Sequence, residues 1–196
     1  VVVVGVDKMS SILDYSDRNT SVLFGDGAGA VLFEPSNKYG VIDCILGVDG
    51  AGSKYLNMPA GGSLIPASYE TVKNNMHFVK QNGATVFKSA VKGMYSITKK
   101  IMENNNITKQ NLNLFIAHQA NKRIIDATAK KIGLDEKQTF INIHKYANTT
   151  AASIPIALCD AYDNNMLKIG DNLILTAFGA GFTWGSCLIK WGINNE

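Results

Sequence analysis

The stretch LFIAHQANKRIIDATAKKIG, residues 114–133, changes character at its middle. It opens as an apolar, strand-like run, and its second half has the apolar spacing of an amphipathic helix that Gly133 ends. His118 lies at the junction. A strand that leads into a helix is the repeating unit of α/β folds, and sites in open α/β sheets lie at the carboxyl ends of strands. The stretch therefore predicts an α/β fold with a site near His118.

The rest of the chain alternates between the same two kinds of segment. Strands are predicted over 1–7, 39–50, 112–117, 138–143 and as a pair within 171–191, and helices over 83–104, 121–132 and 150–164. Residues 21–35 are predicted as two strands or one bent strand, and residues 50–76 as a loop-rich region. Strands that alternate with helices predict a mostly parallel sheet, whose last two strands pair antiparallel because no helix separates them.

Two glycine-containing segments, 21–34 and 173–190, share a weak repeat. Each has an apolar strand, Phe-Gly, a glycine-alanine bend and a second apolar strand. The repeat predicts that residues 1–35 end a first half and that residues 36–196 form a complete second half. Because Val1 opens the chain inside a predicted buried strand, we expect the chain to be the C-terminal portion of a longer protein.

The composition predicts a well-packed globular protein. Of 196 residues, 46% are hydrophobic and 18% are charged, which argues against disorder. The net charge of +3 does not indicate nucleic-acid binding, and no apolar run approaches the roughly 20 residues that span a bilayer. Cys44, Cys159 and Cys187 are far apart in sequence and form no metal-binding motif, so we expect reduced thiols and no metal.

Two polar residues follow predicted strands. His118 ends one strand, and Asn148, in YANTTAASIP, follows the next and precedes a helix with Thr149 and Thr150 as expected caps. A neutral imidazole and an amide on neighbouring loops would give two donors to a carbonyl oxygen that gains negative charge. The alternatives are a satisfied core histidine and an ordinary helix cap.

Glycine motifs are open to more than one interpretation. GDGAGA, residues 25–30, matches a dinucleotide-binding fingerprint, but strand-like VLFEP follows where the fingerprint needs a helix, which favours a tight glycine bend. FGAGF, residues 178–182, either brings backbone N–H groups close to a substrate or makes a tight strand connection. The chain contains no G-x-S-x-G motif, so a serine hydrolase is unsupported.

Four motifs together carry a resemblance. HQANKRI, YANTTAASIP and FGAGFTWGS, in this order, and DRNTSVLFGDGAGAVL before them, resemble the 3-oxoacyl-[acyl-carrier-protein] synthase III family. The resemblance spans the whole chain. It implies the thiolase fold, layered α/β/α/β/α in the intact protein, of which this chain would be the C-terminal half and the last strands of the N-terminal half.

The resemblance implies an acyltransferase that starts fatty acid synthesis by joining a short acyl-CoA to malonyl-acyl carrier protein with loss of CO₂. It implies a Cys-His-Asn triad in which His118 and Asn148 hold the last two places. The nucleophilic cysteine would belong to the N-terminal half, so neither Cys44, Cys159 nor Cys187 is expected to replace it. This chain alone is expected to be inactive and to expose apolar surface. No cofactor or metal is implied.

Further roles are implied by the same resemblance. The backbone of Ala180 would contact an oxyanion, Arg18 would stack on the CoA adenine, and Phe24 would bound the acyl pocket. The other substrate-binding positions, most of them along the pantetheine tunnel, are Gly83, Ala120, Asn121 and Phe178.

Basic residues on two helices suggest a docking surface. Arg123, Lys130 and Lys131 share a face of one predicted helix, and Lys88 begins the other. We expect Lys88, Arg123 and Lys130 to attract the acidic carrier protein, although a solvated basic face would look the same.

The expected setting is a homodimer in the cytoplasm, or in a plastid-type organelle of a eukaryote. Two other functions remain open. One is a non-catalytic partner subunit of a synthase-like pair, and the other is a related thiolase-fold acyltransferase with a different acyl acceptor. A cysteine in the upstream sequence would favour the enzyme, and its replacement would favour the partner subunit. The choice of acyl acceptor depends on loops.

Overall fold

The computed structural model describes residues 1–193. Its strands are β1 (Val2–Asp7), β2 (Gly27–Leu32), β3 (Gly40–Val48), β4 (Leu56–Asn57), β5 (Lys80–Gln81), β6 (Leu114–Ala117), β7 (Thr139–Phe140), β8 (Asn172–Gly179) and β9 (Thr183–Lys190). Its α-helices are α1 (Tyr69–Lys73), α2 (Gly83–Asn104), α3 (Lys122–Ile132), α4 (Ile143–Tyr146) and α5 (Ser153–Asp163). Four short 3₁₀ turns complete the elements: Met9–Ile12, Gly50–Tyr55, Glu136–Gln138 and Thr150–Ala152.

Five strands form the main sheet in the order β3-β9-β8-β6-β7. β6 pairs in parallel with both β7 and β8, whereas β9 pairs antiparallel with both β8 and β3. The antiparallel final pair is confirmed. The prediction of a mostly parallel sheet is wrong, because β3 joins the outer side of β9 and makes the sheet mixed.

The main sheet separates two cores. All four residues of β6 are buried, as expected for a strand covered on both faces. Phe115 and Ala117 face a core built with α2 and α3, and Leu114 and Ile116 face a second core built with α5. β2 packs on the outer side of α5. The layers are therefore helix, sheet, helix and the β1–β2 sheet, which confirms a layered α/β fold.

Local sequence explains the two helices that border the site. The Asn82 side chain caps α2 by accepting a hydrogen bond from the N–H of Thr85. Asn121 caps α3 in the same way through the N–H of Arg123, and Gly133 ends α3 with a φ of 90° that suits glycine. The predicted bounds of α2 are confirmed, and those of α3 agree within one residue.

The β1–β2 sheet departs from the prediction in two ways. β1 forms as predicted, but its valines are exposed, with Val2 at 60% and Val4 at 60%, so the prediction that this strand is buried is wrong. Residues 21–23 form turns rather than a strand, and Phe24 makes an isolated parallel bridge with Asn148. The strand that pairs antiparallel with β2 is β1, so residues 21–34 do not form a strand pair like that of β8 and β9 in residues 173–190.

Two predicted elements are shorter than expected. The strand predicted over 138–143 ends at Phe140, since the N–H groups of Asn142 and Ile143 donate to the Gln119 side chain instead of a neighbouring strand. The helix predicted from residue 150 begins at Ser153, because Thr150 has a φ of 48°, outside the right-handed helical region. Residues 194–196, the end of the predicted second half, lie outside the described residues. Among the described helices, none is both long enough and apolar enough to cross a membrane.

Candidate active site

A cavity of about 1110 Å³ opens at the carboxyl ends of β6 and β8, beside the first turns of α2 and α3. Ten of the twelve residues predicted for the site line it: Phe24, Gly83, Lys88, His118, Ala120, Asn121, Arg123, Asn148, Phe178 and Ala180. Arg18 and Lys130 do not line the cavity and are exposed, Arg18 in a turn and Lys130 on α3. The structure thus collects residues that lie 156 positions apart in the chain, from Phe24 to Ala180.

His118 is held at the end of β6. Its backbone N–H donates to the carbonyl oxygen of Thr176 on β8 at 2.8 Å, and its Nδ1 lies 2.6 Å from the Oγ of Ser153. Burial lowers the pKa of His118 to about 4, because the charged imidazolium loses its hydration. The ring is therefore neutral near pH 7. With Nδ1 engaged, Nε2 is the ring nitrogen that remains for a molecule in the cavity.

Asn148 is buried and fixed through both its backbone and its side chain. Its N–H donates to the Leu23 carbonyl at 3.0 Å, and its own carbonyl accepts from the N–H of Gly25 at 2.9 Å. Its Oδ1 accepts from the N–H of Thr150 at 2.9 Å. Since Oδ1 is used, the amide Nδ2 is left as the donor. Thr149 and Thr150, predicted as helix caps, make no capping hydrogen bond, so that prediction is wrong.

The GDGAGA stretch packs closely against the loop that carries Asn148. A Cβ atom at Gly25 would overlap the carbonyl oxygen of Tyr146, and one at Gly27 would overlap the Thr149 side chain. Glycine at both positions lets residues 23–27 run against the loop that carries Asn148. β2 follows the glycines, so the dinucleotide-binding interpretation lacks the helix that it requires.

Gln119 was not predicted as a site residue, yet it links the strand end that carries His118 to the segment that leads to Asn148. It is 1% exposed, and its Nε2 donates to the carbonyl oxygens of Ala117 and Phe140. Its Oε1 accepts from the N–H groups of Asn142 and Ile143. These four bonds connect the end of β6 to the segment that leads to Asn148. A polar residue directly after a buried strand was the sequence signal for this role.

Aromatic rings form an apolar wall beside the two polar residues. The Phe178 ring lies 5.0 Å from Phe182 and 6.4 Å from Trp184, measured between ring centroids. Ala180 lies in the connection between β8 and β9 and lines the cavity. The FGAGF bend therefore connects two strands and borders the cavity, and the approach of its backbone N–H groups to a substrate stays a prediction.

Basic residues lie along α2 and α3, and two of them, Lys88 and Arg123, line the cavity. The Arg123 guanidinium lies 5.4 Å from the centre of the Phe87 ring, and the Lys131 ammonium lies 5.6 Å from that of Tyr95. These contacts hold both cations along the α2–α3 groove. Lys88 is exposed at the start of the same groove and lines the cavity.

The described residues that line the cavity carry positive but no negative side-chain charge. Within residues 1–193, the lining contains two cationic side chains, Lys88 and Arg123, and neither Asp nor Glu. No cluster of three or more histidine, cysteine or acidic residues that could hold a metal occurs in the described part of the chain. Two neutral donors in a partly enclosed, carboxylate-free cavity suit a carbonyl oxygen that becomes negative, because no nearby anion opposes the charge.

Comparisons with known proteins place the chain in a family. Residues 1–50 match the family model described as 3-oxoacyl-[acyl-carrier-protein (ACP)] synthase III, and residues 102–191 match the model of its C-terminal part. Over 194 residues, the chain is 50% identical to beta-ketoacyl-[acyl-carrier-protein] synthase III of Chlorobium phaeobacteroides, covering 97% of this chain and 59% of that protein. Identity to the Koribacter versatilis protein of the same name is 52%, with 97% and 58% covered.

A solved structure shares the fold. The 3-oxoacyl-[acyl-carrier-protein] synthase III of Aquifex aeolicus superposes with a TM-score of 0.86 at 36% identity, covering 97% of this chain and 57% of that one. The chain thus spans somewhat less than two thirds of the length of the relatives that it matches. By the matches at both its start and its end, and by its fold, this chain belongs to the 3-oxoacyl-[acyl-carrier-protein] synthase III family.

Proposed function

We propose that this chain forms the part of a condensing acyltransferase that binds a malonyl thioester and stabilises its enolate. The observation that supports this is that His118 Nε2 and Asn148 Nδ2 are the side-chain nitrogen atoms left for a ligand on one carboxylate-free cavity. The names of the relatives, which are beta-ketoacyl-[acyl-carrier-protein] synthases, agree with the same chemistry.

The proposed reaction has two stages. A cysteine thiolate first takes the acyl group from a short acyl-CoA and releases CoA. The malonyl thioester then loses CO₂ when its bond to the carboxylate breaks, and the electron pair moves into an enolate whose oxygen accepts hydrogen bonds from His118 and Asn148. The enolate carbon attacks the acyl-cysteine carbonyl, the thiolate leaves, and 3-oxoacyl-carrier protein is the product.

The cysteine is proposed to come from another segment of the intact protein. All three cysteines of this chain are described, and none lines the cavity. We propose that residues 1–35 end the half that supplies it, and that residues 36–196 form the half that supplies His118 and Asn148. Exposed apolar side chains on β1 and β3, among them Leu46 at 85% and Val48 at 74%, support burial against such a segment. This chain alone would then be inactive.

We propose substrate contacts for residues inside and outside the cavity. Phe24 is proposed to bound the acyl pocket. The small residues Gly83 and Ala120, and the helix-capping residue Asn121, are proposed to border the pantetheine arm. Arg18 is exposed, as stacking on an adenine at the surface requires. Lys88, Arg123 and Lys130 are proposed to attract an acidic carrier protein. We propose a homodimer that works in the cytoplasm, without a cofactor.

A partner subunit without catalysis remains the alternative, since the nucleophile is not among the cavity residues. The two differ in the upstream segment, where a cysteine favours the enzyme and its replacement favours the partner. An acyltransferase with another acceptor would keep His118 and Asn148 but fail to use malonyl-acyl carrier protein.

The test separates the two stages in the intact protein. His118→Ala and Asn148→Ala should each lower the rate of malonyl decarboxylation by about 10²–10³, because each removes one donor to the enolate oxygen. Formation of the acyl-enzyme from acyl-CoA, followed by mass spectrometry, should persist. His144→Ala, which removes an exposed histidine outside the cavity, is the matched control and should leave both stages unchanged. Equal loss of acylation and decarboxylation in the His118 and Asn148 variants would contradict the assigned roles.

A further inference from the structure

Ser153 lies behind the proposed donor His118. It is 2% exposed at the start of α5, and its Oγ is 2.6 Å from Nδ1 of His118. The same oxygen also accepts a longer hydrogen bond, of 3.3 Å, from the backbone N–H of Gln119. Ser153 therefore meets two consecutive residues of the loop that follows β6, although 35 positions separate it from His118.

The hydroxyl proton of Ser153 decides which ring nitrogen of His118 carries a proton. A serine hydroxyl has one proton to donate and two lone pairs that accept. The N–H of Gln119 occupies one lone pair. Within residues 1–193, Oγ of Ser153 has one other hydrogen bond, which it accepts from the N–H of Gln119. Nδ1 of His118 is therefore the acceptor for the hydroxyl proton of Ser153. In a neutral ring, an Nδ1 that accepts leaves the proton on Nε2.

We propose that Ser153 is a positioning residue that holds neutral His118 in its Nε2–H tautomer, so that Nε2 donates into the cavity. This inference rests on the proposed function, in which Nε2 must be a donor to the enolate oxygen. The opposite tautomer would present a lone pair to the developing negative charge and would repel it. Gln119 contributes by holding Oγ in place through its backbone N–H, and if Nδ1 carried the proton the Ser153 hydroxyl would lose the acceptor that Nδ1 provides.

The tautomer can be measured without activity. In the intact protein labelled with ¹⁵N-histidine, at pH 7, we expect His118 to show a protonated Nε2 and an unprotonated Nδ1. Ser153→Ala should introduce a population with the proton on Nδ1. Ser153→Thr keeps the hydroxyl and should restore the wild-type pattern. Thr128→Val is a matched control, because Thr128 has a buried hydroxyl for which no partner occurs among the described residues.

Activity gives the second readout. Partners that fix the tautomer of a metal-bound histidine typically contribute 10–100-fold, and we expect Ser153→Ala to lower kcat for malonyl decarboxylation by about that factor. The KM for malonyl-carrier protein and the rate of acylation by acyl-CoA should change less than about twofold, since neither needs a donor at Nε2. Thr128→Val should keep the full rate.

The outcomes separate this inference from the proposed function. A wild-type ring protonated on Nδ1, or a tautomer unchanged by Ser153→Ala, would overturn the role of Ser153. If the tautomer changes as expected but decarboxylation is insensitive to His118→Ala, the tautomer role of Ser153 is supported and the proposed function fails.

Discussion

At the scale of single residues, the titration of His118 has a measurable effect on stability. Burial holds its pKa at about 4, below the ordinary value of 6.5. Between these values the unfolded chain binds a proton and the folded protein does not, so the free energy of unfolding falls as the pH drops from about 6.5 to 4. The total loss should be about 2–3 kcal/mol, and the neutral donor should persist throughout this range.

Urea unfolding at several pH values tests this expectation. Wild type should lose up to about 1.4 kcal/mol per pH unit more than His118→Asn in this window, because asparagine does not titrate. Identical slopes for wild type and His118→Asn would mean that the imidazole titrates normally in the folded protein.

At the scale of elements, the pairing of β3 with β9 brings two cysteines together. Cys44 lies opposite Cys187 in the antiparallel register, and their sulfur atoms are 2.9 Å apart. Burial, reinforced by Cys44, raises the pKa of the Cys187 thiol, so the more exposed Cys44 is the thiol that meets a reagent first. A mild thiol oxidant such as diamide should therefore link these two residues, with diamide reduced to its hydrazine.

Peptide mapping by mass spectrometry checks the pairing. The cross-linked peptides should contain Cys44 and Cys187 and have lost two hydrogen atoms. Cys159→Ser should retain the link, because Cys159 lies on α5, and Cys44→Ser should abolish it. A link that includes Cys159 in the native protein would show that the β3–β9 register differs.

At the scale of the whole molecule, two cationic side chains lie at the end of the sheet where the cavity opens. Arg123 and Lys88 stand at the cavity, near the carboxyl ends of β6 and β8. If this surface docks an acidic carrier protein, Arg123→Glu should raise the KM for malonyl-carrier protein at least tenfold while barely changing acyl-CoA use, since like charges then meet. The effect should shrink at high salt, which screens exposed charges over about 8–10 Å.

Steady-state kinetics with each substrate varied separately provides the measurement. Lys109→Glu makes the same change of net charge before β6, at the amino end of the strand, and should have little effect. Equal losses toward both substrates, or an effect of Arg123→Glu that salt does not alter, would mean that the carrier protein docks elsewhere.

The elements and residues that could be predicted from the sequence are those that depend on neighbours along the chain. Apolar periodicity and caps located α2 and α3, and the antiparallel β8–β9 pair followed from the lack of a helix between its strands. His118 and Asn148 were found because each follows a predicted strand, where open α/β sheets place their sites. Periodicity, capping and strand ends are local properties, so a single sequence contains them.

Contacts between distant segments could not be predicted from the sequence, because they depend on how the chain folds. The prediction that β1 is buried failed because burial depends on what covers a strand, and its apolar composition does not state that. The opposition of Cys44 and Cys187 depends on strand register. The bond from Ser153 to His118 depends on how α5 meets the end of β6. Hydrogen bonds act over about 3 Å, and only the folded backbone brings residues that are tens of positions apart to that distance.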